Sequence, residues 1–416
     1  MAEKIILDNG LRIVCEPMPH LHSVATGLWV NSGSAAEPEQ LAGVSHFLEH
    51  MLFKGTAKRG AAEISRVMDG VGGVLNAFTG KEQTCFYTRC LDEHFELGLE
   101  LLADMCLNSL LDGEQFDREK QVIVEEINMY EDSPDEVAGD LFARTLWPEH
   151  SYGRSVAGSL SSVGALGRDA MYDYWRMAYT PAQAVLAVAG NIEPRQVVEQ
   201  ARRYLGGFSG GAGAASLNAP RQQGGQAYIY KDIEQTHICL GLGGVAVDDA
   251  DYFPLYVLVN ALGGGASARL FQEVREKRGL AYSAYCFLDS YKLSGAVCAY
   301  AATQPQQAEE LARVMAGQFA DVAEHGLSGE ELERSKNQLK GSLLLGAENP
   351  VTVMGKLGRF LCSLDELYSL EHTVAQLAAV SSDDIRRVTA RLFVPGQLAL
   401  AQVGPREAEL DAKELF

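Results

Sequence analysis

Near its start the chain places two apolar runs, Ile5-Ile6-Leu7 and Leu11-Arg12-Ile13-Val14-Cys15, on either side of Asp8-Asn9-Gly10. Asn-Gly between apolar runs is the signature of a type I′ β-hairpin. A third strand is expected over Val24 to Val30. From Gly43 to Phe53 the period changes: Val44, Phe47, Leu48 and Met51 recur at the spacing of a helix with one buried side. Strands are expected again from Val74 to Thr79 and from Thr84 to Cys90, then helices over Glu93 to Leu110 and Glu114 to Glu131. Strands close in sequence followed by paired helices predict an α+β arrangement, a largely antiparallel sheet flanked by helices. Turns rather than helical crossovers join the early strands, which disfavours a doubly wound nucleotide-binding fold.

The pattern then repeats. The segment from Gly113 to Lys120 is echoed from Gly329 to Lys336 at an offset of 216, and Pro181 to Gly190 is echoed from Pro395 to Gly404 at an offset of 214. Two echoes at nearly one spacing indicate a duplicated α/β unit. Between the copies runs a glycine-rich stretch from Gly206 to Gly225, the composition of a linker. The expected organisation is a first domain over 1–205, a linker over 206–225 and a second, homologous domain over 226–416.

Composition narrows the classes of function. The 416 residues are 47% hydrophobic and 22% charged, so the chain can build two cores. With 35 basic against 55 acidic side chains the formal charge is −20, which argues against nucleic acid and anionic membranes as partners. Acidity suits a cationic ligand, although solubility alone also accounts for it. No apolar stretch has the length of a signal peptide or a membrane span. The eight cysteines are scattered without a CxxC pair and read as free thiols of the cytoplasm.

The most specific chemistry lies at His46-Phe47-Leu48-Glu49-His50. Residues four apart stack on one helix face, so both imidazoles can reach one ion. Glu49, on the same side, is placed to act on water without being a ligand. The order HxxEH inverts that of the HExxH zincins. A catalytic zinc needs a third protein ligand. Between Phe116 and Tyr130, Glu119 and Glu126 stand two helical turns apart along a stripe with Val122 and Ile123. Carboxylates in apolar company call for a cation. This favours Glu126 as ligand and Glu119 as an outer carboxylate steering a histidine, with Glu125 as a rival to Glu126.

These residues resemble the pitrilysin/insulysin family of zinc peptidases, and most nearly its mitochondrial processing peptidase β-subunits and their bacterial relatives. The likeness runs through His46 to Thr56 (HFLEHMLFKGT), Asn76-Ala77-Phe78-Thr79 with Glu82 and Thr84, and Arg118-Glu119 to Glu125-Glu126-Ile127. It implies Zn²⁺ on His46, His50 and Glu126, with Glu119 behind them and Glu49 as the base. It also implies two similar halves closing like a clamshell around a peptide chamber. Arg275 and Tyr282, seven apart, match a family pair that faces the zinc, and Asn76 and Ala77 match a strand that pairs with extended substrate. Phe53 matches an aromatic lining the pocket just after the cut bond. Asp169 and Asp173 fall where the β-subunits carry acids that receive a basic side chain. Glu119 and Glu126 have Ser335 and Ser342 as their repeat partners and no second HxxEH exists, so one half alone is expected to hold metal. The resemblance implies an endopeptidase for extended, unstructured peptides. The acidic pair and the charge of −20 favour basic residues near the cut, and the presence of both the zinc half and the Arg275/Tyr282 half in one chain favours a self-sufficient homodimer. A heterodimeric, partner-dependent subunit and a non-catalytic relative are the alternatives.

Overall fold

The computed structural model describes residues 3–210, 217–408 and 410–415. Residues 211–216 of the expected linker lie outside the described residues. In the first half, strands β1 (Glu3–Ile6), β2 (Arg12–Pro17), β3 (Ser23–Val30), β4 (Val74–Thr79), β5 (Thr84–Leu91) and β6 (Ala184–Gly190) form one sheet. Its order is β1-β2-β6-β3-β5-β4, and every neighbouring pair is antiparallel except β2 with β6. The helices of this half are α1 (Val44–Leu52), α2 (Ala61–Asp69), α3 (Phe95–Asn108), α4 (Gly113–Glu131), α5 (Pro134–Leu146), α6 (Leu160–Ala165), α7 (Arg168–Ala178) and α8 (Pro194–Leu205).

The second half carries β7 (Gly225–Tyr230), β8 (Thr236–Gly244), β9 (Ala284–Ser290), β10 (Gly295–Thr303) and β11 (Ala399–Gly404), in the order β7-β11-β8-β10-β9. Here too one pair is parallel, β7 with β11. Its helices are α9 (Tyr252–Gly263), α10 (Ala308–His325), α11 (Gly329–Gly346), α12 (Pro350–Leu364), α13 (Leu370–Ala379) and α14 (Ser382–Leu392). The duplication is therefore visible in five strands, β2-β6-β3-β5-β4 matching β7-β11-β8-β10-β9, while β1 has no counterpart. Helices α4 and α11 even begin at the two glycines, 113 and 329, that opened the echo in the sequence.

The expected hairpin forms, with a different turn. Leu7 and Leu11 close a three-residue loop, in which Gly10 N–H donates to Leu7 O at 2.8 Å and Gly10 has φ +90°. A type I′ turn needs positive φ at both central residues, and Asn9 is not among the positive-φ residues. The loop is instead a turn ending in a left-handed glycine. Asn9 is occupied elsewhere, its Nδ2 donating to Leu205 O and Phe208 O at 2.9 and 3.1 Å.

Packing divides the chain less simply than composition does. One compact unit takes Met1–Ile127, Ser155–Leu217 and Leu345–Ser369; the other takes Asn128–Arg154, Asn218–Leu344 and Leu370–Phe416. The contiguous domains expected at 1–205 and 226–416 thus each lend a segment to the other's unit. Helix α12 lies on β2, β3 and β6 of the first sheet, where Met354, Leu357 and Leu361 cover Val14, Ala25, Trp29 and Val185. Helix α5 lies on β7, β8 and β11 of the second. Both helices open with a proline, Pro134 and Pro350, at the same offset of 216. The exchange is reciprocal, and a linker composition carries no information about it.

Candidate metal centre

Helix α1 owes its start to two features. Gly43 sits at φ +93°, and a Cβ there would lie 2.6 Å from Ala157 O. Ahead of it Glu37, only 4% exposed, accepts the N–H of Gly43 at 2.8 Å and of Ser45 at 2.7 Å. A carboxylate at a helix N-terminus satisfies orphan donors and complements the dipole. Val44, Phe47, Leu48 and Met51 are buried as their spacing predicts, which leaves His46, Glu49 and His50 on the remaining face, none of them fully buried.

Helix α4 brings the third donor. Phe116, Glu119, Ile123 and Ile127 form its buried stripe, with Glu126 half-buried beside it. Val122, expected in that stripe, is half exposed, and the rival Glu125 is exposed. Glu126 Oε1 lies 3.7 Å from His46 Nε2 and its Oε2 lies 3.5 Å from His50 Nε2. One donor atom from each of His46, His50 and Glu126 falls within 4.8 Å of the others. Among the described residues no other group of three such donors converges.

Charge in the site is frustrated in a way that a cation relieves. Burial and the neighbouring His50 push His46 down to about 4, so this imidazole is neutral near pH 7. Burial also lowers His50, but the Glu119 hydrogen bond and the charges of Glu126, Glu119 and Glu49 outweigh it and raise the ring overall. The carboxylates that attract a proton to His50 are those a metal ion would neutralise. Two imidazoles and one carboxylate also make the donor set of a catalytic zinc with an open position. The residues present fit Zn²⁺.

Around this cluster stand three groups to which sequence reading gave no role, Lys54, Thr79 and Glu37. Glu119 Oε1 meets His50 Nδ1 at 2.9 Å, and its Oε2 accepts from Lys54 Nζ at 2.7 Å. Burial raises Glu119, yet these two partners bring it below its ordinary range. Glu49 is lifted by burial and receives a 2.5 Å hydrogen bond from Thr79 Oγ1, at the end of β4. Lys54 follows His50 by one helical turn, a spacing that could have flagged it. Thr79 and Glu37 depend on how strand and loop pack against α1, which no local pattern encodes.

The remaining expected residues fall into four situations. Asn76 and Ala77 lie on β4, the edge strand beside α1, with Asn76 Oδ1 accepting the Ala77 N–H. Phe53 ends α1 and packs partly against the core, its ring 6.3 Å from that of Phe86. Arg275 and Tyr282, in the other unit, are brought together: the guanidinium lies 4.4 Å from the tyrosine ring centroid and donates to Tyr282 O at 3.3 Å. Tyr282 is 81% exposed and is no core aromatic. Asp169 and Asp173 stand exposed on the first turns of α7, Asp169 beside Arg168 at 3.9 Å. In the second unit, Asn260 on α9 donates to Ser335 Oγ at 2.9 Å, where the first unit has His50 and Glu119. The duplicate keeps the contact without the metal donors.

Comparison with known proteins places the chain. Residues 12–160 match the family described as "Insulinase (Peptidase family M16)", and residues 165–339 match "Peptidase M16 inactive domain". The chain is 38% identical over 405 residues to the uncharacterized zinc protease YmxG of Bacillus subtilis (strain 168), covering 97% of this chain and 98% of that one. It belongs to peptidase family M16. A zinc protease of Streptomyces coelicolor, likewise uncharacterized, is 40% identical over 412 residues, covering 97% of this chain and 90% of that one. The crystal structure of a protease from Helicobacter pylori shares the fold with a TM-score of 0.93 at 23% identity, over 97% of this chain and 99% of that one. In this M16 chain His46, His50 and Glu126, the candidate metal donors, lie within the residues matched by the insulinase description, and Arg275 and Tyr282 within those matched by the inactive-domain description. Among the described residues no helix is long and apolar enough to cross a membrane.

Proposed function

We propose that this M16 chain is a zinc-dependent endopeptidase acting on extended, unstructured peptides with basic side chains near the cut. The observation that carries the reading is the convergence of His46, His50 and Glu126 with Glu49 on the same helix. His46, His50 and Glu126 would hold Zn²⁺, which would supply Lewis acidity toward a peptide carbonyl and toward water. Glu49 Oε1 takes the proton of the attacking water while Thr79 holds Oε2, and the protonated acid then delivers that proton to the leaving amine. Burial, by raising Glu49, suits it to hold a proton between those two steps. The outer edge of β4 around Asn76 and Ala77 offers main-chain groups to an extended substrate, a sequence-tolerant mode of recognition.

Tyr282, oriented by Arg275, donates its phenol proton to the substrate's carbonyl oxygen or adjacent backbone. Phe53 supplies apolar surface for the residue after the cut. Asp169 and Asp173, within a chain of charge −20, attract basic side chains. The favoured assembly is a self-sufficient homodimer, because the three candidate metal donors and the Arg275–Tyr282 pair occur in one polypeptide. The test is a cleavage profile on a mixed peptide library with purified protein carrying one equivalent of Zn²⁺. Cleavage that chelation abolishes and zinc restores is expected; a zinc-loaded protein that cuts nothing in the library sinks the proposal.

A further inference from the structure

Lys54 stands one turn past His50, just beyond the end of α1. Among the described residues its only ion-pair partner is Glu119, whose side chain is 7% exposed while that of Lys54 is 29% exposed. A carboxylate this buried needs a partner on each oxygen. His50 Nδ1 occupies Oε1 at 2.9 Å and Lys54 Nζ occupies Oε2 at 2.7 Å. With Oε2 unpaired, the carboxylate is free to turn toward solvent and take Oε1 away from the imidazole. His50 would then lose the contact that fixes its ring plane and aims Nε2 at Glu126, 3.5 Å away.

We propose that Lys54 is a positioning residue of the metal centre, acting through Glu119 on the orientation of His50. The duplicate supplies an independent argument. Where the first unit has His50 and Glu119 in contact, the second has Asn260 and Ser335. Four residues after Asn260 stands Gly264, in the place of Lys54. The histidine, carboxylate and ammonium are absent together from the unit without metal donors, as they would be if the lysine served the metal rather than the fold.

The inference rests on the metal reading above, and its test separates the two. The dissociation constant for Zn²⁺ is measured by competition with a chromophoric chelator, alongside the visible spectrum of the Co²⁺-loaded protein. Lys54→Met should weaken zinc by ~10-fold or more and change the cobalt bands, since outer-shell partners of a metal-bound histidine carry ~10–100-fold in affinity. Lys54→Arg, which keeps a cation at Glu119, should stay near wild type. In a Glu119→Gln background, adding Lys54→Met should change affinity by no more than about twofold, because the residue it acts through is gone. An unchanged affinity in Lys54→Met, or an equal loss in both backgrounds, overturns the proposal. Should Lys54→Met fail to fold, Lys54→Gln takes its place in the same cycle with the same expectations. Wild-type protein that binds zinc no better than His46→Ala overturns the metal reading and the role of Lys54 together. Tight zinc binding without peptide cleavage overturns the peptidase reading alone, and Lys54 is still judged on the affinities.

Discussion

Replacing Glu37 by glutamine tests the reasoning from the backbone upward. The carboxylate accepts two N–H groups at the start of α1, from Gly43 at 2.8 Å and Ser45 at 2.7 Å, in a buried setting. Glutamine keeps the size but retains one acceptor oxygen, so its amide group meets a backbone donor with another donor. Hydrogen bonds to a charged group contribute about 1.5–3 kcal/mol each, and a left-over buried donor costs about 1–3 kcal/mol. The lost helix-end charge adds ~0.3–1 kcal/mol. Allowing for relaxation, Glu37→Gln should destabilise the unit that carries α1 by about 2–4 kcal/mol, a large share of a typical stability of ~5–15 kcal/mol. Urea unfolding followed by the fluorescence of Trp29 and Trp175, which lie in that unit, reads this directly. Because His46 and His50 are carried on α1, zinc affinity should fall as well. An unfolding free energy within about 0.5 kcal/mol of wild type, with zinc affinity intact, would show that Glu37 does not hold the helix.

Four further outcomes are expected. Glu49→Gln should retain zinc while turnover drops by about 10²–10⁴-fold, whereas Glu126→Gln should lose zinc; metal analysis beside kinetics would expose reversed roles. Tyr282→Phe should leave zinc content and unfolding unchanged and lower kcat/KM, and equal kcat/KM on several unrelated peptides would remove Tyr282 from the reaction. The Arg269 guanidinium, 2.6 Å away, holds Glu331 down to about 2 from an ordinary 4.5. That stability is present above about pH 4.5 and fades as the pH falls toward 2, so the advantage of wild type over Glu331→Gln, at most about 3 kcal/mol, should vanish over this window. Asp169→Asn with Asp173→Asn should raise KM for basic peptides more than for neutral ones, and added salt should shrink the difference.

What could be read from the sequence is what depends on neighbours along the chain. Two histidines four apart with a glutamate between them define a helix face, and Glu119 and Glu126, two turns apart, define another. The structure sets one beside the other. The same logic located β4 to its end residues and the start of α4 to within one position. It went astray where a side chain answers to something distant. Asn9 turns to carbonyls nearly two hundred residues away, and the hairpin takes a longer loop. Val122 shares a helix with Ile123 but faces solvent, because a stripe has a width that spacing alone leaves open. Thr79 reaches Glu49 only because β4 is the strand laid against α1.

The exchanged helices set a timetable for biogenesis. As the polypeptide leaves the ribosome, β2, β3, β5 and β6 are complete by Gly190, yet the apolar face formed by Val14, Ala25, Trp29 and Val185 has no cover. Its cover, α12, ends at Leu364. At ~5–20 residues per second the nascent sheet waits roughly 10–35 s with that face open to water. During this interval it is a natural client for a holding chaperone, and it is the stage at which two nascent chains would exchange helices wrongly. A variant truncated before Pro350 would prolong that stage indefinitely and should leave the ribosome as an aggregating or chaperone-bound species, not as a folded half.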